Sequence, residues 1–441
     1  MAQNVVTSNG WDLIFAASQD ALNQQLAKLS SVHVKRVIKS ASPIPGLSLT
    51  ADVDVNLGPP QLRVKDGSGR QVDVLLPITG TLSVNNVGIP LDQIHTVVVT
   101  TQLMQIEAEL TPEPGAEPTP EPSQTTYHLV IDFASPDAIV NITAPMAPVL
   151  IAYLVGVFEQ IIRQDIGKDK SYLVATFTLT GNDVPAALIP YIADFSFVQD
   201  AETPGRSNLL VLMQTVTPNK GSILFAAPLL APGQDFAVLV SNQILIQYMA
   251  LPQVKKGIAA MAQNSSAVDN QIAAHQIAGQ QFLYSLSNNS TIALNKDHDP
   301  WISSVTADVD PDRQALELYV DAQDDVTVFN FHVDAWHRSW WQLQVDPETE
   351  EITWEKVHVE QGGSTTLSWW EWLLAIVTGP VSVITAGILE AVVSGNAPDL
   401  GGPIDKVFKN VMQWPNQKEV KLKNIALPSH LVATVELSFS S

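Results

Sequence analysis

Short apolar runs separated by polar turns follow one another along most of the chain. Residues 13–17 form such a run near the start, which predicts a buried strand. Ser18 comes directly after it as a predicted N-cap, and Leu22, Leu26 and Leu29 recur at the spacing of one helix face. The sequence therefore predicts a strand that leads straight into an amphipathic helix.

The same order of residues returns in the second half of the chain. Asp12 and Ser18 align with Asp235 and Ser241, and most apolar positions between them stay apolar. Residues 244–249 are apolar nearly all round, so we expect the second helix to be almost wholly enclosed.

Two further matches occur in the same order along the chain. Residues 51–54 (Ala-Asp-Val-Asp) return as residues 307–310, and a closing Phe-Ser-Phe at 195–197 is similar to Leu-Ser-Phe at 437–439. The spacing between these landmarks differs between the halves. This pattern predicts an old internal duplication and not a short-period repeat.

Strand patterns lie between the helical segments of each half. Residues 51–57 alternate between apolar and polar, and residues 62–75 predict a hairpin with a Gly-rich turn. Residues 111–123, rich in Pro and Glu, predict an irregular loop, and residues 139–167 predict a second amphipathic helix. Antiparallel strands inserted between helices are typical of an α+β fold.

The length of 441 residues is too great for one ordinary core. Together with the repeat, it predicts two domains, residues 1–204 and 205–441.

Composition limits the classes of partner. Hydrophobic residues make up 46% of the chain and charged residues 15%, so large cores are available. The net charge of −22 opposes binding to nucleic acid and adsorption to anionic membranes by charge. There is no cysteine, which excludes disulfides and thiolate chemistry. The first residues show no signal peptide, so we expect synthesis in the cytoplasm, with any release by a non-classical route.

Asp308, Asp310 and Asp312 are similar to the start of a calcium loop. Such a loop has Gly and a bidentate Glu where this chain has Arg313 and Tyr319. We expect a solvated turn here, and no bound metal or cofactor.

Side chains alternate between the two faces of a strand, and this alternation determines how two further groups of residues are interpreted. His332 and Asp334 would share one face of a strand while His337 would point the other way, which argues against a metal site. Trp340 and Trp341 would likewise point to opposite faces, which predicts one in the core and one exposed or in a groove. No nucleophile elbow, P-loop, zinc-protease motif or dinucleotide fingerprint occurs in the sequence, so no catalytic residue is assigned.

The most hydrophobic segment of the chain is residues 373–389, which contain no charged residue. A transmembrane helix, a buried helical hairpin and an apolar tip that meets lipid are all compatible with it. The tryptophans in front of it suit a membrane interface. The candidate lipid or membrane contact residues are Trp369, Trp370, Trp372, Leu373 and Leu374.

The opening Gly10-Trp11-Asp12, the strand after it, Ser18 and the following helix resemble the OrfX-type accessory proteins encoded beside botulinum neurotoxins and in related insecticidal loci. Residues 236–252 resemble the matching segment of the same family. That family is similar to the TULIP, or tubular lipid-binding, superfamily. The resemblance implies two tandem TULIP-like domains, each a curved antiparallel sheet wrapped around long amphipathic helices. No lipid-binding residue is shared across that superfamily, so none is carried over.

We therefore expect a non-enzymatic accessory protein that binds lipid or another apolar ligand in a groove between helix and sheet. Proteins of a toxin complex are further expected partners, and any membrane contact would be peripheral. Two alternatives stay open: an assembly protein with a filled core and no ligand, and a hydrolase on an unfamiliar scaffold.

Overall fold

The computed structural model describes residues 7–41, 48–65, 68–91, 94, 96–107, 125–166, 172–179, 186–277, 282–287, 290–294, 301–326, 331–346, 352–365 and 411–439. The α-helices are α1 (Gln19–Leu26), α2 (Pro148–Ile161), α3 (Leu251–Ala259) and α4 (Ser265–Gln271), with π-helical turns at Ile162–Ile166 and Ile244–Ala250 and 3-10 turns at Ala186–Leu188 and Pro204–Arg206. The strands are β1 (Leu13–Ser18), β2 (Val32–Ala41), β3 (Ser48–Leu57), β4 (Gln61–Val64), β5 (Ser68–Gly69), β6 (Gln71–Val84), β7 (Val87–Ile89), β8 (Thr96–Glu107), β9 (Thr126–Ile131), β10 (Ile139–Ile142), β11 (Leu173–Thr178), β12 (Ile192–Val198), β13 (Asn208–Gln214), β14 (Phe236–Val240), β15 (Ile272–Gln276), β16 (Phe282–Leu286), β17 (Ile292–Ala293), β18 (Trp301–Asp310), β19 (Ala315–Val326), β20 (Phe331–Val345), β21 (Ile352–Thr365), β22 (Met412–Gln413), β23 (Gln417–Ala426) and β24 (Leu431–Phe439).

A central antiparallel sheet joins the two halves of the chain, in the order β23-β24-β14-β1-β13-β12-β5. Its strands β1, β13 and β14 are buried along their whole length. One face packs on the main core, and the other is covered by a smaller cluster that includes Trp11 and Leu230. Burial on both faces explains why these strands are continuously apolar. The predicted boundary between residues 204 and 205 falls inside this sheet, between β12 and β13.

The middle of this sheet has approximate two-fold symmetry. The Ser18 N–H donates to the Asp235 carbonyl at 2.8 Å, and the Ser241 N–H donates to the Asp12 carbonyl at 2.9 Å. Outward from this centre, β13 and then β12 flank β1, while β24 and then β23 flank β14. The predicted pairs of Asp and Ser residues therefore occupy corresponding positions.

The other two sequence matches do not fall on corresponding strands. Residues 195–197 lie in β12, which corresponds to β23, whereas residues 437–439 lie in β24. Residues 51–54 lie in the second strand of their sheet and residues 307–310 in the third strand of theirs. These two matches therefore do not support the predicted duplication, because short alternating motifs fit any half-buried strand.

The sheet built mainly from the first half has the order β2-β3-β6-β8-β9-β11-β22, with β4, β7 and β10 at its side. Its last strand, β22, comes from the second half of the chain. Val53, Val55 and Leu57 are buried as their alternation predicts. The hairpin predicted in residues 62–75 is the pair β4–β6. The Pro- and Glu-rich residues 111–123 lie outside the described residues.

The helix predicted over residues 139–167 begins later than expected. Ile139–Ile142 is the strand β10, which pairs with β8, and α2 starts only at Pro148. Pro145 and Pro148 explain the difference, because proline has no N–H and disfavours a helical residue before it.

The sheet of the second half has the order β15-β16-β18-β19-β20-β21, with β17 paired to β18. Residues 331–345 form one long strand, β20. Trp341 lies in the core, as predicted for one of the pair. Trp340 is also buried, because the Arg313 guanidinium covers its ring at 4.5 Å, which corrects the expectation of exposure.

The described part of the molecule is thus rich in antiparallel sheet. Long helices were predicted, but α2, with 14 residues, is the longest α-helix in the described ranges. None of the described helices is long and apolar enough to cross a membrane.

Candidate functional site

The lipid-contact residues proposed from sequence, Trp369, Trp370, Trp372, Leu373 and Leu374, lie outside the described residues. The structure brings other residues together in candidate sites.

The protein's own side chains fill the space between the sheets and two helical segments, α2 and the turn at Ile244–Ala250. On α2, the inward face is at most 1% exposed, from Tyr153 to Ile161. In the second half, Ile244, Leu245 and Ile246 are fully buried, while Tyr248 is 40% exposed. The second helix is therefore less enclosed than its sequence predicted, and neither interface offers an open groove along these residues.

An open helix–sheet cleft lies instead beside the first helix, where α1 faces β14 and β24. We call it the α1 cleft, and its volume is about 440 Å³. Its apolar floor consists of Phe236, Val435 and Leu437, each less than 9% exposed. Phe439, at the end of β24, closes one side. The cleft combines α1 from the first half with two strands from the second.

Ser18 and Asp235 fix the mouth of the α1 cleft. The Ser18 hydroxyl accepts the Ala21 N–H at 3.1 Å, which confirms the predicted N-cap of α1. The same hydroxyl donates to Asp235 Oδ1 at 2.9 Å. The Asp235 side chain is exposed and lines the cleft. One hydroxyl thus starts the helix and orients the carboxylate at the mouth.

The rim also carries amides and one ion pair. Gln24 is exposed on α1, whereas Gln25 is only 8% exposed and its Oε1 has no hydrogen-bond partner in the described part of the chain. Lys423 Nζ lies 2.5 Å from Glu436 Oε2, and this hydrogen bond lowers the pKa of the Glu436 carboxyl. Lys28 Nζ lies 5.5 Å from the centre of the Phe439 ring.

Asp12 holds the position that corresponds to Asp235, yet its surroundings are closed. Its Oδ2 accepts the backbone N–H groups of Thr215, Val216 and Thr217 at 2.8, 2.8 and 2.9 Å. Its Oδ1 accepts the Thr217 hydroxyl at 2.6 Å. After β13 the chain turns over Asp12, whereas β24 continues as a strand to Phe439. Because β24 does not turn over Asp235, the carboxylate of Asp235 is left uncovered.

A second cleft of about 580 Å³ is lined by Arg63, Lys65 and Arg70. Arg63 donates to the buried Asp73 at 2.8 Å, and Arg70 donates to the buried Asp194 at 2.6 Å. Burial opposes ionisation of Asp73, but hydrogen bonds from Thr100 and Arg63 outweigh it and lower the pKa of this carboxyl. Both arginines of this cleft are therefore held by acidic partners.

The outer face of α2 is an apolar surface. Residues 148–158 contain no charged residue, and Val149, which is 48% exposed, lies on this face with the exposed Ala152. Contiguous exposed apolar residues are typical of interaction surfaces.

The acidic turn at residues 308–312 has a structural role. Asp310 Oδ1 accepts the N–H groups of Asp312 and Arg313 at 3.0 Å each, and its Oδ2 accepts from Trp340 Nε1 at 3.0 Å. Within the described ranges no group of acidic or histidine side chains is arranged to hold a metal ion, His337 and Asp334 included.

Two solved structures align with nearly the whole chain. P47 of Clostridium botulinum E1 covers 97% of this chain and 99% of its own, with a TM-score of 0.71 at 13% identity. P47 from Clostridium botulinum A2 covers 97% of each chain, with a TM-score of 0.69 at 15% identity. The chain has the P47 fold. This confirms the resemblance to OrfX-type proteins at the level of the fold, while the tandem TULIP-like arrangement stays a prediction.

The remaining comparisons give no further information about this fold. A lipopolysaccharide binding protein aligns over 97% of this chain and 99% of its own at 10% identity, but its TM-score is only 0.28. No family model and no curated protein sequence matches the chain.

Proposed function

We propose that the protein is a non-catalytic binding protein that takes up a lipid or another amphiphile in the α1 cleft. The open cleft between α1 and strands β14 and β24 is the observation that carries this proposal. Its volume, about 440 Å³, is within the usual range for small-molecule sites. Phe236, Val435 and Leu437 are only 4–8% exposed, so most of the apolar area removed from water, at about 25 cal/mol per Å², would be that of the acyl chain itself. The amides and carboxylates at the rim would hold the polar end.

Mass spectrometry of organic extracts from the purified protein tests the proposal directly. We expect an amphiphile that co-purifies at up to one molecule per chain. Gln24 offers a way to block the cleft without touching a buried side chain. Gln24→Trp should fill the mouth and abolish co-purification, whereas Gln24→Ala should leave it unchanged. Equal amounts of ligand in both variants would place the ligand elsewhere.

An assembly role without ligand is the second candidate, and the apolar outer face of α2 favours it. In that case Val149→Asp should abolish association with a partner protein, such as a protein of a toxin complex, and Gln24→Trp should have no effect. Association that survives Val149→Asp would exclude this face as the interface.

We also propose that the two halves, residues 1–204 and 205–441, are tandem TULIP-like domains that arose by duplication. The reciprocal hydrogen bonds between Ser18 and Asp235 and between Ser241 and Asp12 support this view. Separate expression of each half tests it. Because β13 pairs with both β1 and β12, a first half that ends at residue 204 should be less stable than one that ends after β13.

A further inference from the structure

The cleft of about 580 Å³ differs in charge from the protein as a whole. The chain has 45 acidic residues and only 23 basic ones. Of the described charged residues that line this cleft, three are basic, Arg63, Lys65 and Arg70, and one is acidic, Asp73. We call it the cationic cleft. An excess of positive charge at one cleft of an acidic protein favours an anionic ligand there.

The carboxylates that pair with the two arginines lie behind them. The side chains of Asp73 and Asp194 are 13% and 8% exposed, whereas those of Arg63 and Arg70 are 54% and 47% exposed. A molecule that enters the cleft therefore meets the guanidinium groups before it meets the carboxylates. The two ion pairs hold the arginines in place, while the charge that faces a ligand stays positive.

Both aspartates are themselves anchored. Asp73 Oδ1 accepts the Thr100 hydroxyl at 2.6 Å, and Asp194 Oδ1 accepts the Phe195 N–H at 2.9 Å. In each carboxylate the other oxygen, Oδ2, accepts from the arginine. The guanidinium groups are thus positioned before a ligand arrives, which lowers the entropic cost of binding.

Each arginine keeps hydrogen-bond donors for a ligand. Arg63 and Arg70 each donate to their aspartate through a single nitrogen, Nη2. A guanidinium has five N–H groups in a planar fork, and this fork matches the oxygens of a phosphate or carboxylate. Arg70 also lies 5.9 Å from the centre of the Phe195 ring, a contact that uses no N–H group.

Lys65 supplies the charge in excess. It follows β4 directly, its side chain is exposed, and it makes no ion pair with a described residue. Arg63 and Arg70 each have an aspartate, so the ammonium group of Lys65 is the positive charge that the described residues of the cleft leave unbalanced.

We propose that the cationic cleft binds a phosphate monoester, with Arg63 and Arg70 donating to its oxygens and Lys65 adding a third positive charge. At pH 7 a phosphate monoester carries about −1.5 to −2 charges and three strong acceptor oxygens, so it suits several donors better than a carboxylate does. The volume of about 580 Å³ leaves room for the molecule that carries the phosphate. This site is separate from the α1 cleft and does not depend on amphiphile binding.

Soluble molecules and lipid headgroups both present phosphate monoesters. The net charge of −22 repels the protein from an anionic membrane surface. We therefore expect the ligand of the cationic cleft to be a soluble one.

Isothermal titration calorimetry of the full chain with glycerol 3-phosphate tests this inference. Glycerol is the matched probe without phosphate. We expect saturable binding of glycerol 3-phosphate that weakens as sodium chloride is added, because the contact depends on charge. Glycerol should not bind.

Two exposed lysines give a matched pair of variants. Lys65→Gln should weaken the binding of glycerol 3-phosphate by about tenfold, because it removes a charged hydrogen-bond donor from the cleft. Lys418→Gln makes the same change in net charge at an exposed site on β23 that does not line the cleft, and it should change the affinity by less than about twofold.

Arg70→Lys tests the geometry of the site. A lysine keeps the positive charge beside Asp194 but loses the planar fork, so we expect binding to weaken by about fivefold. The melting temperature of this variant should stay close to that of the wild type, which separates loss of the fork from loss of the fold.

The proposal is wrong if glycerol 3-phosphate does not bind, or if Lys65→Gln and Lys418→Gln weaken its binding equally. Phosphatidylcholine vesicles that contain phosphatidic acid distinguish the two sources of phosphate. Vesicle binding that Lys65→Gln abolishes would support the phosphate site and overturn the soluble source. Binding of glycerol 3-phosphate without vesicle binding would support both. The amphiphile expected in the α1 cleft has its own test in the organic extracts, so either proposal can fail without the other.

Discussion

Ser18 and Asp235, 217 positions apart in the chain, are joined by two hydrogen bonds. The Ser18 N–H donates to the Asp235 carbonyl at 2.8 Å, and the Ser18 hydroxyl donates to the carboxylate at 2.9 Å. That hydroxyl also caps α1. A single side chain therefore ties the start of the first helix to the strand that opens the second half.

Ser18→Ala should lower the free energy of unfolding by about 1–2 kcal/mol, because it removes a helix cap and a link between the halves. Ser241→Ala removes only one longer hydrogen bond, in which the Ile244 N–H donates to the Ser241 hydroxyl at 3.3 Å, and it should cost about 0.5 kcal/mol. Urea unfolding measures both values. A larger loss for Ser241→Ala would contradict this ranking.

Asp12→Asn should be far more damaging than Asp235→Asn. Asp12 is buried, and replacing its carboxylate by an amide weakens several charge-assisted hydrogen bonds at once, which we expect to cost about 3 kcal/mol. Asp235 is exposed, and the Asn oxygen can still accept from Ser18, so we expect a loss of less than about 0.5 kcal/mol. If chemical denaturation gives the same loss of unfolding free energy for both variants, the different hydrogen bonds of Asp12 and Asp235 do not make different contributions to stability.

The sequence predicted β1, the N-cap at Ser18 and helix α1, because a helix cap and the spacing of apolar residues depend only on residues close in the chain. It did not predict the α1 cleft, whose walls come from α1 and β24 at opposite ends of the chain. The shared Asp of the two opening motifs was the available signal. That signal could not show which Asp would be covered, because this depends on the turn after β13 and on the continuation of β24.

Gly80→Ala should destabilise the protein by about 2–4 kcal/mol. Gly80 has a φ of +118° in β6, and an added Cβ would press on the backbone of Asp54 and lie 2.8 Å from Val55 Cα in β3. Backbone atoms in a paired strand cannot move aside. Gly88→Ala is the matched control, because nothing lies within 4 Å of the added Cβ. The melting temperature of this variant should stay close to that of the wild type.

His430 should make the protein sensitive to mild acid. Burial lowers the pKa of His430 from 6.5 to about 4, and its Nδ1 accepts the Asn242 N–H at 2.9 Å. Between these pH values the unfolded chain binds a proton that the folded protein does not. The free energy of unfolding should therefore fall as the pH drops from about 6.5 to 4, by on the order of 3 kcal/mol from this residue.

The pH dependence can be assigned by substitution. His430→Asn keeps an acceptor for the Asn242 N–H but has no proton to bind in this range. Urea unfolding at several pH values should show a smaller slope for this variant between pH 6.5 and 4. An unchanged slope would assign the acid sensitivity to other groups.

Trp369, Trp370 and Trp372 lie outside the described residues, and their role stays a prediction from the sequence. If they contact lipid, the net charge of −22 means that the contact depends on apolar insertion and not on attraction to anionic headgroups. Binding to uncharged phosphatidylcholine vesicles should then survive high salt. Replacing all three by Ser should abolish vesicle binding and leave cooperative unfolding intact. Loss of cooperative unfolding in the triple variant would instead show that these tryptophans belong to the core.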